Sequence, residues 1–140
     1  MMDLELVPLC EVVMKVGDSQ QLGRTPTGDM MIGEIVSARW EGERLRASLR
    51  GHTAADWMTF APDGTGLPDV RMTLETDDGA LIYVAYSGRF SSDTGIAYTT
   101  PCFRTGDAGY AWLNHVQAVG KATFDATTGT IHYPMIYELR

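Results

Sequence analysis

No apolar pattern with helical spacing persists in this chain for as many as about ten residues. Short runs rich in Val, Ile, Thr, Tyr and Trp alternate instead with turns marked by Gly and Pro, of which there are 15 and 6. β-Branched and aromatic side chains suit a pleated, half-buried surface, and Gly and Pro punctuate it. Nine runs read as strands: 4–16, 30–40, 44–49, 57–61, 70–76, 80–86, 96–105, 116–125 and 130–139. The stretch "GDSQQLGRTPTGD" reads as a loop, and one helical turn is expected around 110–113. Evenly spaced short strands point to an antiparallel sandwich or barrel. The long first run and the meander-like order favour an all-β, up-and-down β-barrel of about nine strands, which can hold a small ligand inside.

The chain has 140 residues, enough for one domain over 1–140 with an ordinary core. A net charge of −7 argues against nucleic acid or an anionic membrane as partner, since either needs a basic face. The opening "MMDLELVP" has neither a basic segment nor a long apolar run, and no stretch approaches a spanning helix, so the expected location is cytoplasmic. Cys10 and Cys102 form no CxxC pair and are expected to be reduced thiols, mostly buried. A homodimer is the default expectation for such a domain.

Strand parity narrows the search for chemistry. Val70, Met72 and Leu74 share one face of their run, as do Ile82, Val84 and Tyr86 in the next. The opposite face mixes Arg71, Glu75, Tyr83 and Arg89 and reads as either a solvated surface or a polar-lined cavity. Between the two runs, "TDDG" reads chiefly as a hairpin turn, since Asp-Gly accepts the left-handed backbone such turns need. Asp56 beside Trp57 could have a raised pKa through desolvation, as a general acid or base requires, or could cap a loop. In "YAWLNH", residues 110–115, Trp112 and Asn114 could line a pocket or plug a barrel. The three histidines fit no metal-ligand spacing, and no nucleotide, phosphate or protease motif is present, so neither metal nor cofactor is expected.

Several segments together resemble the domain of unknown function 3237 family of bacteria and fungi. They are "WEGERLRA" (40–47), "AADW" (54–57), "TLETDDGALIYV" (73–84), "TTPCFRTGDAGYAWLN" (99–114) and "VQAVGKA" (116–122). The resemblance covers nearly the whole chain. It implies a lipocalin-like barrel suited to small apolar or aromatic molecules, with Asp56, Trp57, Glu75, Asp78, Tyr83, Trp112 and Asn114 at pocket positions. The chain departs from the family pattern at Ser37-Ala38, at Thr53-Ala54, and at Cys102 and Arg104.

Three functions fit these residues. One is a cofactor-independent enzyme of isomerase, lyase, hydratase or cyclase type acting on a small aromatic or polyketide-like carbonyl compound. Asp56 or Glu75 would move the proton, and Tyr83 and Asn114 would hold the oxyanion. Arg46, Arg71, Trp57, Tyr98, Trp112 and His115 would contact the ligand. The second is a carrier using the same pocket without chemistry. The third is a filled barrel whose outer apolar face makes an oligomer.

Overall fold

The computed structural model describes residues 2–140; Met1, the first residue of the expected 1–140 domain, lies outside the described residues. Eleven strands form one sheet: β1 (Leu6–Thr25), β2 (Gly28–Glu41), β3 (Arg46–Leu49), β4 (Ala55–Phe60), β5 (Thr65–Leu67), β6 (Asp69–Thr76), β7 (Leu81–Ser91), β8 (Ile96–Thr99), β9 (Cys102–Arg104), β10 (Ala118–Asp125) and β11 (Thr130–Leu139). A 3-10 helix, Ala108–His115, precedes β10. No helix among the described residues is long and apolar enough to cross a membrane.

Every pairing is antiparallel, and β5 and β6 at one end of the strand order pair with β7 at the other, so the sheet closes on itself. The eleven strands fill only eight places around the ring, because three places are shared by broken strands. β3 and β4 both lie between β2 and β6. β5 and β6 both lie between β4 and β7. β8 and β9 both lie between β7 and the chain of β10, with β8 paired to Gly120–Thr123 and Cys102 of β9 bridged to Gln117 just before β10. Pro68 and Pro101 stand at two of the breaks, where a residue without an N–H cannot continue a ladder. In ring order the places follow the chain, which is the expected up-and-down meander. An eight-place barrel is just wide enough to fill with side chains or to hold one small ligand.

Two expectations change in detail. "GDSQQLGRTPTGD" is not a loop: most of it is the second half of β1 and its hairpin with β2, with Gln20 opposite Ile32 and Arg24 opposite Asp29. The run 96–105 is two strands rather than one.

The period-two pattern sets what faces inward. On β6 and β7, Val70, Met72, Leu74, Ile82, Val84 and Tyr86 are all buried, and the intervening residues face out. The turn between them has Gly79 at φ 94°, the left-handed backbone expected of "TDDG". Asp77 there pairs with Arg39, and Asp78 accepts from the hydroxyls of Thr76 and Tyr110. The walls pack closely where β7 meets β8. A Cβ on Gly88 would lie 1.9 Å from the Tyr98 carbonyl oxygen, so only glycine fits.

The barrel is packed at one end and hollow at the other. Trp40, Leu45, Leu74, Ile82, Val84, Leu113 and Ile136 are fully buried and fill the end where the 3-10 helix lies. Trp40 meets Phe103 edge-on at 5.9 Å. Leu113 is the buried residue of the helix, so the segment plugs the barrel. The opposite end carries the tips of the β1–β2, β4–β5, β7–β8 and β10–β11 hairpins and opens into a cavity.

Candidate active site

The cavity measures about 220 Å³ and is walled by apolar side chains from β1, β2, β4, β6, β7, β8, β10 and β11. Three strands carry a phenylalanine as their last or next-to-last residue at its mouth. Phe60 meets Phe90 at 6.5 Å and Phe90 meets Phe124 at 6.5 Å, both edge-to-face, so the rings form a collar. Below the collar lie Met31 and Met58, with one carboxyl and a few hydroxyls among them: Asp56, Thr99, Thr123, Tyr86 and Tyr133. Among the described residues no Lys, Arg or His lines this space.

Asp56 sits mid-barrel on β4, with Gly33 of β2 directly beside it and Val70 of β6 on its other side. A Cβ on Gly33 would meet only Val16, at 3.7 Å, so the glycine leaves space next to the carboxyl. Desolvation pushes the Asp56 pKa up to about 6; the backbone N–H of Asp69, donating at 3.1 Å, opposes the rise, and the Asp69 charge adds to it.

Tyr86 and Tyr133 meet edge-on at 6.4 Å. The Tyr133 hydroxyl shares a 2.8 Å hydrogen bond with Thr99 Oγ1, and both groups are buried. Burial, more than any neighbour, pushes the Tyr133 pKa up to about 12. It also raises Tyr86 well above the ordinary tyrosine value, with smaller contributions from Tyr133 and Asp56. Both phenols therefore stay protonated through neutral pH. One carboxyl with a raised pKa thus shares a largely apolar chamber with two phenol hydroxyls.

Of the eleven residues given a catalytic, ligand or pocket role from the sequence, Asp56 alone lines the cavity. The mixed face of β6 and β7 points outward. Glu75 pairs there with Arg50, Arg71 lies over Trp57 at 4.8 Å, and Tyr83 stacks under Arg104 at 5.3 Å. Arg46 lies outside beside Glu41, and Tyr98 is 56% exposed against Lys121. Trp112 stacks under Arg44 at 4.6 Å, in a shallow groove with His115 at the packed end. Asn114 is a brace: its Oδ1 accepts from the Thr105 N–H at 2.8 Å and its Nδ2 donates to the Thr105 carbonyl at 3.0 Å. Cys10 is buried, but Cys102 is exposed rather than buried, and both are free thiols. Sequence reasoning passed over Tyr86, Tyr133 and Thr99 as candidates, although the parity of β7 had already put Tyr86 on the apolar face.

Solved structures share this architecture. A β-barrel-like protein from Acinetobacter baumannii AYE superposes with a TM-score of 0.88 at 28% identity, covering 100% of this chain and 98% of the other. A conserved protein of unknown function from Rhodopseudomonas palustris gives 0.88 at 24% identity, covering all of both chains. A protein from Penicillium herquei described as an enzyme gives 0.72 at 21% identity, covering 99% and 94%. In sequence, a UPF0311 protein of Rhodopseudomonas palustris is 28% identical over 135 residues, which is 85% of this chain and 88% of that one. The family described as "Protein of unknown function (DUF3237)" matches residues 4–139. Since that match runs from before β1 to the last residue of β11, the chain belongs to the DUF3237 family.

Proposed function

We propose that this barrel is a cofactor-independent acid/base catalyst acting on a small apolar or aromatic carbonyl compound, with Asp56 as the group that moves the proton. The observation that carries this reading is a carboxyl with its pKa raised to about 6 in an otherwise apolar cavity of ligand size. A base poised near the operating pH is what proton abstraction needs. The description of the Penicillium herquei relative as an enzyme supports it. A second reading, a carrier without chemistry, draws on the phenylalanine collar and the two cavity methionines, which would hold any apolar molecule. The two free thiols suit a reducing, cytoplasmic setting for either activity.

Saturation-transfer NMR with neutral bicyclic probes, 2-tetralone and 2-naphthol among them, tests the site. Wild type should bind at least one saturably. Gly33→Leu, which fills the space beside Asp56 without a close contact at its Cβ, should weaken that binding by about tenfold or more. Equal binding by Gly33→Leu, or none by wild type, would remove the cavity from consideration. For a probe that binds, turnover abolished in Asp56→Asn with binding kept marks the catalyst, and binding without turnover marks the carrier.

A further inference from the structure

We propose that Tyr86 is the oxyanion donor of this site and that its substrates are neutral, enolisable ketones, deprotonated beside the carbonyl by Asp56. The inference rests on the reading above, in which the cavity takes the ligand and Asp56 moves the proton.

The Tyr86 hydroxyl is the more weakly held phenol of the cavity: besides the Met14 sulfur it has the neighbouring Tyr133 hydroxyl within reach, and that hydroxyl is already bonded to Thr99. Its residue is 7% exposed and lines the chamber. The Met14 sulfur lies at 3.9 Å, and a thioether is a weak acceptor. Tyr133, by contrast, is satisfied by Thr99. A donor held this weakly is one for which a ligand oxygen can compete.

Register places this donor opposite the base. Asp56 pairs with Val70, and Val70 pairs with Tyr86, so the three stand in one row across β4, β6 and β7. Two strand spacings separate the Asp56 and Tyr86 backbones, about 10 Å. Both side chains line the same cavity, so a bound carbonyl and its neighbouring carbon would lie between them. The charge lining fixes the substrate class. No cation faces the cavity among the described residues, and Asp63, Asp93 and Asp125 follow the three collar phenylalanines. A carboxylate or phosphate ester would bring a full negative charge beside Asp56 with nothing to balance it. A ketone brings none, and the charge that develops on its oxygen can be met by an O–H donor.

The step balances without a cofactor. An Asp56 oxygen takes the proton from the carbon next to the carbonyl. That C–H pair becomes the C=C bond, and the carbonyl π pair moves to oxygen, which accepts the Tyr86 hydrogen bond. Return of the proton, to the same carbon or to a conjugated one, restores the ketone and the carboxylate.

The test is exchange of the α-protons of 2-tetralone in deuterated buffer, followed by proton NMR, with binding measured in parallel by saturation transfer. Wild type should exchange them well above the buffer rate. Tyr86→Phe should lose about 10- to 100-fold of the enzyme-dependent rate while binding stays within about threefold. Asp56→Asn should fall to the buffer rate. Tetralin-2-carboxylate should fail to compete. Undiminished exchange by Tyr86→Phe would overturn the donor assignment and leave Asp56 standing. Competition by the carboxylate at parity with the ketone would overturn the substrate class. Binding of 2-tetralone without wild-type exchange would overturn the chemistry and leave the cavity as a binding site. No binding of any probe would sink the underlying reading itself.

Discussion

Replacing Asp56 by Asn should stabilise the protein, and by an amount that depends on pH in a defined window. In the unfolded chain the carboxyl titrates near 3.8, and in the folded barrel near 6. Between those values the folded state binds more protons than the unfolded state, so wild-type stability falls as pH rises through the window. The contribution of this group is complete below about pH 3.8 and lost above about pH 6. A rise of about two units is worth about 3 kcal/mol at about 1.36 kcal/mol per unit. The carboxyl keeps some solvent access, which reduces this to about 2 kcal/mol. Asn carries no charge to desolvate, and its Oδ1 can still accept from the Asp69 N–H. Tyr86 and Tyr133, the other titratable groups facing it, stay protonated throughout. Asp69 and all distant groups are common to both proteins. The assay is urea denaturation of both proteins at pH 4, 6 and 8. The Asn variant should be more stable by about 2 kcal/mol at pH 8, with the difference shrinking toward zero at pH 4. A difference that is flat with pH would show that the carboxyl is not desolvated, and the argument for a poised base would go with it.

Glu75→Gln and Tyr83→Phe alter only the outer wall. Both should leave probe exchange unchanged and shift stability by no more than about 0.5 kcal/mol in denaturant melts. Asn114→Ala removes two hydrogen bonds that tie the 3-10 helix to Thr105. It should cost about 1–2 kcal/mol without changing the pH profile of exchange. Burial pushes the Cys10 thiol up to about 12, whereas Cys102 is exposed. A thiol reagent at pH 8 should therefore titrate one thiol rapidly in the folded protein and a second only in denaturant.

Side-chain alternation made much of the fold legible, because a period of two is a property of the extended chain itself. Ile82, Val84 and Tyr86 belong together on an inner wall whatever the partner strand. Local chemistry made the "TDDG" turn readable too, but not the setting of Asp56: neighbours on a strand point to opposite faces, so Trp57 lies outside under Arg71 while the cavity wall surrounds the carboxyl. The second half of β1 was not, because both of its faces are largely exposed and its polar residues carry no alternation. The breaks at Pro68 and Pro101 carry a local signal in the prolines themselves, but which strands resume beyond each break is set by distant partners in the closed sheet. The site was only partly legible for a related reason. Polar residues draw attention where they gather, and on β6 and β7 they gather on the solvent side. A hydroxyl that works inside a barrel appears in sequence as one tyrosine among aliphatic residues, as Tyr86 does.

The uneven filling of the barrel gives its motions a direction. Strands running from the packed end to the hollow end are clamped by Trp40, Leu74, Ile82 and Leu113 at one extremity, while their tips enclose space. Fraying at those tips gives up little apolar contact, so local opening there is much easier than unfolding of the whole. On the proposed function, brief parting of the hairpin tips would be the route past Phe60, Phe90 and Phe124. Amide protons should accordingly exchange fastest at the hairpin tips and slowest near the plug.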